Sequence, residues 1–133
     1  GDFKGATFTG AGAIRLNGAG LANADLSGSK ITTETSYAAQ DASDGDATID
    51  FSGANLAGAD LSGAELTATT SYGGATIDFT EANLANADLS GSKLEAYTEA
   101  GEVYIKFKNA NLTNADLRDA ELTASGSITN GSS

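Results

Sequence analysis

The 133-residue chain contains no cysteine, histidine, proline, methionine or tryptophan. Without cysteine there is no disulfide and no thiolate chemistry. Without histidine the chain lacks the commonest general base and the commonest transition-metal ligand. No apolar run approaches the ~20 residues of a membrane span, and no secretory signal pattern stands at the start, so membrane insertion is not expected. Basic residues are few: seven Lys and Arg against 18 Asp and Glu leave a formal charge of −11. That balance argues against nucleic acid or an anionic membrane as a partner and favours solubility, cations or a basic partner. The first residue is glycine rather than methionine, which fits an excised domain or a processed mature chain.

Hydrophobic residues make up 40% of the chain, but alanine supplies much of that share. Alanine fills a single wide core poorly and a narrow, regular one well. The stretch ANLAGADLSGAEL, residues 54–66, shows the regularity: Leu56, Leu61 and Leu66 fall five residues apart, each two residues after an alanine. A helix turns about 100° per residue, so this spacing makes no helical stripe. A flat strand alternates faces, so an odd spacing throws successive leucines to opposite sides. The chain must bend once per pentad. Four bends of about 90° close a square with every leucine at its centre, and the alanine two residues earlier faces inward as well.

A longer beat carries the pentads. Phe51, Phe79 and Phe107 lie 28 residues apart. They are followed by Leu56, Leu61 and Leu66, by Leu84, Leu89 and Leu94, and by Leu112, Leu117 and Leu122. Leu16, Leu21, Leu26 and Ile31 form an earlier copy, and Phe3 and Phe8 read as half of one more. These are the expected structural core. A period of 20–50 residues marks a solenoid. The units ANLAG, ADLSG, ANLAN, ANLTN and ADLRD resemble the pentapeptide-repeat family, and the resemblance covers most of residues 14–124. It implies a right-handed quadrilateral β-helix with four pentads per coil. The expectation is therefore an all-β solenoid of about four to five coils over residues 1–124, with 125–133 a flexible tail or last strand.

Stacking the copies predicts columns. Ala24, Ala59, Ala87 and Ala115 form one small inward column; Ser29, Ala64, Ser92 and Ala120 form another. Lys30, Glu65, Lys93 and Glu121 alternate in sign, an expected ion-pair ladder. Asp25, Asp60, Asp88 and Asp116 stack like charges, which requires hydrogen bonds to turn amides or bound cations. The segments between coils, such as LTATTSYGGATIDF (66–79), read as two β-rich runs around a turn. Stacked as hairpins they would form a lateral sheet, with threonine on its exposed face.

Asp41, Asp44, Asp46 and Asp50 supply carboxylates for a calcium site, although their spacing is not that of an EF-hand; a solvated acidic turn explains them equally. No other cofactor is expected. Tyr37 and Tyr72 occupy equivalent positions, and Tyr97 and Tyr104 lie on the third excursion. On a rigid projecting surface they are candidates for binding a sugar or a protein, or they cover the excursion's own apolar face. Asn111-Leu-Thr and Asn130-Gly-Ser match the glycosylation pattern, but the first falls inside a packed coil. No catalytic constellation stands out, and the chain is not read as an enzyme.

The leading expectation is a structural or adhesive module of a secreted or cell-surface protein. A solenoid ends in unpaired strand edges, and neither terminus shows a capping helix, so self-association end to end into a fibre follows if the ends are open. One alternative comes from the resemblance: some pentapeptide-repeat proteins look like duplex DNA and bind type II topoisomerases. The other is a carbohydrate- or protein-binding module that uses the tyrosines.

Overall fold

A computed structural model describes residues 2–35 and 45–126. The described residues form strands and turns only. The strands are β1 Thr7–Gly10, β2 Ala13–Arg15, β3 Lys30–Thr35, β4 Ala47–Asp50, β5 Glu65–Thr70, β6 Ala75–Asp78, β7 Lys93–Thr98, β8 Val103–Lys106 and β9 Glu121–Gly126. All pairing between them is parallel, in a five-stranded sheet of order β1-β3-β5-β7-β9 and a four-stranded sheet of order β2-β4-β6-β8. Single parallel bridges join Asn55, Asn83 and Asn111, and Asp2, Asp25, Asp60, Asp88 and Asp116. These four stacked columns are the sides of a right-handed quadrilateral β-solenoid.

The bend in each pentad has a local cause. In Leu56-Ala57-Gly58-Ala59 the Ala59 N–H donates to the Leu56 carbonyl at 3.0 Å, and Gly58 has φ +71°. A positive φ at the third residue alone is a type II turn. The next pentad adds a side-chain clamp: Asp60 Oδ1 accepts from the Ser62 N–H at 2.9 Å and from its hydroxyl at 2.6 Å. The carboxylate is thus held by the turn that follows it. Asp25 and Asp88 hold Ser27 and Ser90 in the same way.

Coil I runs from β2 through Leu16, Leu21 and Leu26 to β3. Coils II, III and IV repeat it from β4, β6 and β8 through to β5, β7 and β9. Ahead of coil I stands a half-coil made of Phe3 and β1, which carries Phe8. The extra half-coil is why one sheet has five strands and the other four. Phe51 stacks on Phe79 and Phe79 on Phe107, each with ring centroids 5.1 Å apart and near-parallel planes. The leucines of coils II and III are all buried, as are the small residues two before them, alanine in every case but Ser92.

The segments between coils stack laterally, but their two strands do not pair with each other. β5 bonds to β3 and β7, and β6 to β4 and β8. Each segment is therefore an arch joining two facing sheets rather than a hydrogen-bonded hairpin. The reason is that the copy one coil away offers an in-register partner for every strand, so both strands spend their ladder bonds on stacking. The inward residues taper toward the tip of the arch. On one sheet Leu66, Ala68 and Thr70 are buried; on the other, Phe79, Ile77 and Ala75.

The expected exposure of threonine is corrected here in part. Thr33, Thr70 and Thr98 are buried. Thr98 donates its hydroxyl to the Gly73 carbonyl at 2.7 Å, Thr33 to that of Gly12 at 2.7 Å, and Thr70 to that of Gly45. A narrow tip has room for a threonine only where a turn carbonyl accepts its hydroxyl. The ion-pair ladder is also corrected. Lys30, Glu65, Lys93 and Glu121 do stack in register, but among the described residues the only ion pair is Arg118 with Asp116. Exposed lysine side chains lose entropy by being held in one geometry and gain little from the pair.

Candidate functional site

The tyrosines named from the sequence are not brought together. Tyr97 points outward from β7 in the five-stranded sheet, half-buried. Tyr104 points outward from β8 in the four-stranded sheet, on the opposite side of the arch, 43% exposed. Its hydroxyl donates to Glu102 Oε1, which raises its pKa above the ordinary range, and Lys106 Nζ lies 4.9 Å from its ring centroid. Tyr72 sits at an arch tip, exposed, and Tyr37 lies outside the described residues.

Of the acidic group, Asp41 and Asp44 lie outside the described residues. Asp46 Oδ1 accepts from the Gly74 N–H at 2.9 Å, and Asp50 Oδ1 accepts from the Ser52 N–H at 2.8 Å and its hydroxyl at 2.6 Å. Among the described residues no three carboxylates are grouped to hold a metal.

The like-charge aspartate column is offset by hydrogen bonds, the first of the two expected compensations. Every member holds the backbone N–H two residues on, from Asp2 with Lys4 at 3.0 Å to Asp116 with Arg118 at 3.0 Å. In the column position where coils I to III carry Ser27, Ser62 and Ser90, coil IV carries Arg118. Its guanidinium reaches both Asp116 oxygens, at 2.9 and 2.6 Å. Those hydrogen bonds hold the Asp116 pKa down at about 2. For Asp25 the Ser27 hydroxyl and amide act in the same direction.

The end faces stand out from the buried inner coils. Leu84, Leu89 and Leu94 of coil III are at most 1% exposed, whereas their coil IV equivalents Leu112, Leu117 and Leu122 are 36%, 38% and 46% exposed. These three residues, expected in the core, do point inward along their columns, but among the described residues no coil lies above them. The backbone is open at the same face. The Leu89 and Gly91 N–H groups donate to Asp116 and Arg118, while those of Leu117 and Asp119 have no acceptor among the described residues. At the other end Phe3 and Phe8 cover only half of coil I. Leu26 and Ile31 beneath them are 2% and 0% exposed, and Leu16 and Leu21 beside them are half-buried. Sequence reasoning found the open strand edges in general terms. The uneven cover follows from where the half-coil starts in the pentad register.

A family model described as pentapeptide repeats matches the chain in eight copies, over residues 49–70, 77–95 and 105–125. These are the pentads and arch strands of coils II to IV, and the chain belongs to the pentapeptide-repeat family. Among solved structures it is similar to the pentapeptide repeat protein Rfr23 from the cyanobacterium Cyanothece 51142. That match has 15% identity and a TM-score of 0.23, and covers 92% of this chain and 86% of that one. It is also similar to HetL, a pentapeptide repeat protein involved in heterocyst differentiation regulation from the cyanobacterium Nostoc sp. strain PCC 7120. Here the identity is 19% and the TM-score 0.17, over 90% of this chain and 86% of that one. No curated protein matches the chain.

Proposed function

We propose that this protein is a non-enzymatic structural module, a rigid solenoid that associates through its end faces, in an extracellular or cell-surface setting. The observation that carries the reading is the coil IV face, where Leu112, Leu117 and Leu122 are more than a third exposed beside backbone groups that have no partner among the described residues. An apolar row flanked by open ladder edges is the kind of surface that association covers. The absence of histidine and cysteine supports a non-catalytic role. For the setting, the support is compositional: few basic residues and a strongly acidic, polar surface.

Sedimentation velocity over a wide concentration range, with negative-stain electron microscopy of the concentrated sample, tests the reading. Mass should rise with concentration, and particles should lengthen along one axis beyond the roughly 20 Å of one solenoid, taken as ~4.8 Å per coil. A protein that stays monomeric at every concentration rejects it.

A further inference from the structure

We infer that the partner on the coil IV face is a second copy of this chain, seated head to tail, with β1 of one copy extending the parallel sheet that ends at β9 of the other. This rests on the end-association reading above and adds the occupant, its polarity and its register.

The first argument is donor–acceptor matching. Within the chain, each coil gives the next the same bonds. Leu26, Leu61 and Leu89 N–H donate to the carbonyls of Asp60, Asp88 and Asp116, and Gly28, Gly63 and Gly91 N–H to those of Ser62, Ser90 and Arg118. The next coil donates back from Glu65, Lys93 and Glu121 to Ser29, Ala64 and Ser92. Among the described residues, and on the two sides that the half-coil would cover, coil IV is left with the Leu117 and Asp119 N–H groups and the Ala120 carbonyl. The half-coil is left with the equivalents that would meet them: the carbonyls of Asp2 and Lys4 and the N–H of Thr7. Seating one on the other repeats a contact that the protein already makes between the half-coil and coil I, where Phe3 N–H donates to Asp25 and Lys30 N–H to Ala6.

The side chains agree. Carrying the register Thr7–Lys30–Glu65–Lys93–Glu121 one step further sets Thr7 of the second copy over Glu121, Phe8 over Leu122 and Thr9 over Thr123. Phe3 then lies over Leu117. A neutral threonine meets the glutamate. Both phenylalanines meet leucines, as they meet Leu26 and Ile31 within the chain. Two like-charge contacts result, Asp2 over Asp116 and Lys4 over Arg118, but they lie side by side, so each carboxylate has a cation of its own copy two residues on and the four charges sum to zero. The half-coil covers only half of the face, so Leu112 stays open, as Leu16 and Leu21 do at coil I.

Disulfide trapping in this cysteine-free chain tests the register. Thr9 and Thr123 are both exposed on the outer face of their strands. Neighbouring residues on paired strands are ~4.8 Å apart, within bridging range, whereas within one copy the two lie four coils, roughly 19 Å, apart. Mixing Thr9→Cys with Thr123→Cys protein under mild oxidation should give at least about tenfold more cross-linked dimer than either variant alone. Mixing Thr7→Cys with Thr123→Cys, two residues out of register at roughly 8 Å, should not. On association, hydrogen exchange should slow at the amides of Thr7, Leu117 and Asp119 and stay unchanged at Leu112 and Asn114. If Thr123→Cys alone dimerises as readily as the mixture, the faces meet tail to tail; end association stands and this inference falls. Association with no cross-link in any mixture overturns it too. A strictly monomeric protein overturns both readings.

Discussion

The same substitution at two equivalent positions should have very different costs. Leu89 and Leu117 occupy one column, a coil apart, and differ only in what lies above them: 1% exposed against 38%. Leu→Ala removes the equivalent of about three methylene groups, roughly 2.4 kcal/mol of transfer free energy when buried. At Leu89 a closed cavity adds to this, for a total of about 3–5 kcal/mol. At Leu117 roughly two-thirds of the transfer term remains, and no closed cavity forms because the site opens to solvent, so about 1.5 kcal/mol is expected. Guanidinium unfolding of Leu89→Ala and Leu117→Ala, at a concentration where the protein is monomeric, measures both. The difference should be at least about 1.5 kcal/mol. Equal costs would mean that coil IV is covered in solution and that its leucine row is not an open surface for association. Raising the protein concentration supplies a second check, since association through this face buries Leu117 and should widen its cost.

Ser92 has a buried hydroxyl with no partner among the described residues, in a column it shares with Ala64 and Ala120; Ser92→Ala should stabilise the protein by about 1 kcal/mol in the same assay. Glu81 holds φ +62° at a turn position that Gly53 fills one coil earlier, so Glu81→Gly should raise stability by up to about 1 kcal/mol, read as a higher Tm. Because the Asp116 pKa is held down to about 2 from an ordinary 3.8, its contribution is present above pH ~4 and is lost as pH falls toward 2. NMR titration of the Asp116 carboxyl should show the low midpoint, and Arg118→Ala should move it up toward the ordinary value.

Much of the fold is legible in the sequence because a solenoid is nearly one-dimensional: each residue's neighbours are its own copies one period away. The spacing of Phe51, Phe79 and Phe107 aligns the columns, and those columns are what the ladder bonds follow. The reading failed where a residue's surroundings depend on more than its column. Thr70 and Thr32 look alike in the sequence, but one sits inside an arch tip and the other on an outer face. Tyr97 and Tyr104 lie seven residues apart, but the arch between them turns them to opposite sides.

The pentad spacing, the turn residues and the small alanine columns by themselves determine a square coil that stacks in register. Each pentad's bend is closed by bonds within a few residues, so local chemistry suffices to fix it. Only the tertiary structure decides which strand an arch strand pairs with and which leucines stay covered. Both depend on whether another coil is present above or below, and the Ala-Asp-Leu triplet shared by coils III and IV gives Leu89 and Leu117 different exposure because a coil covers only the first.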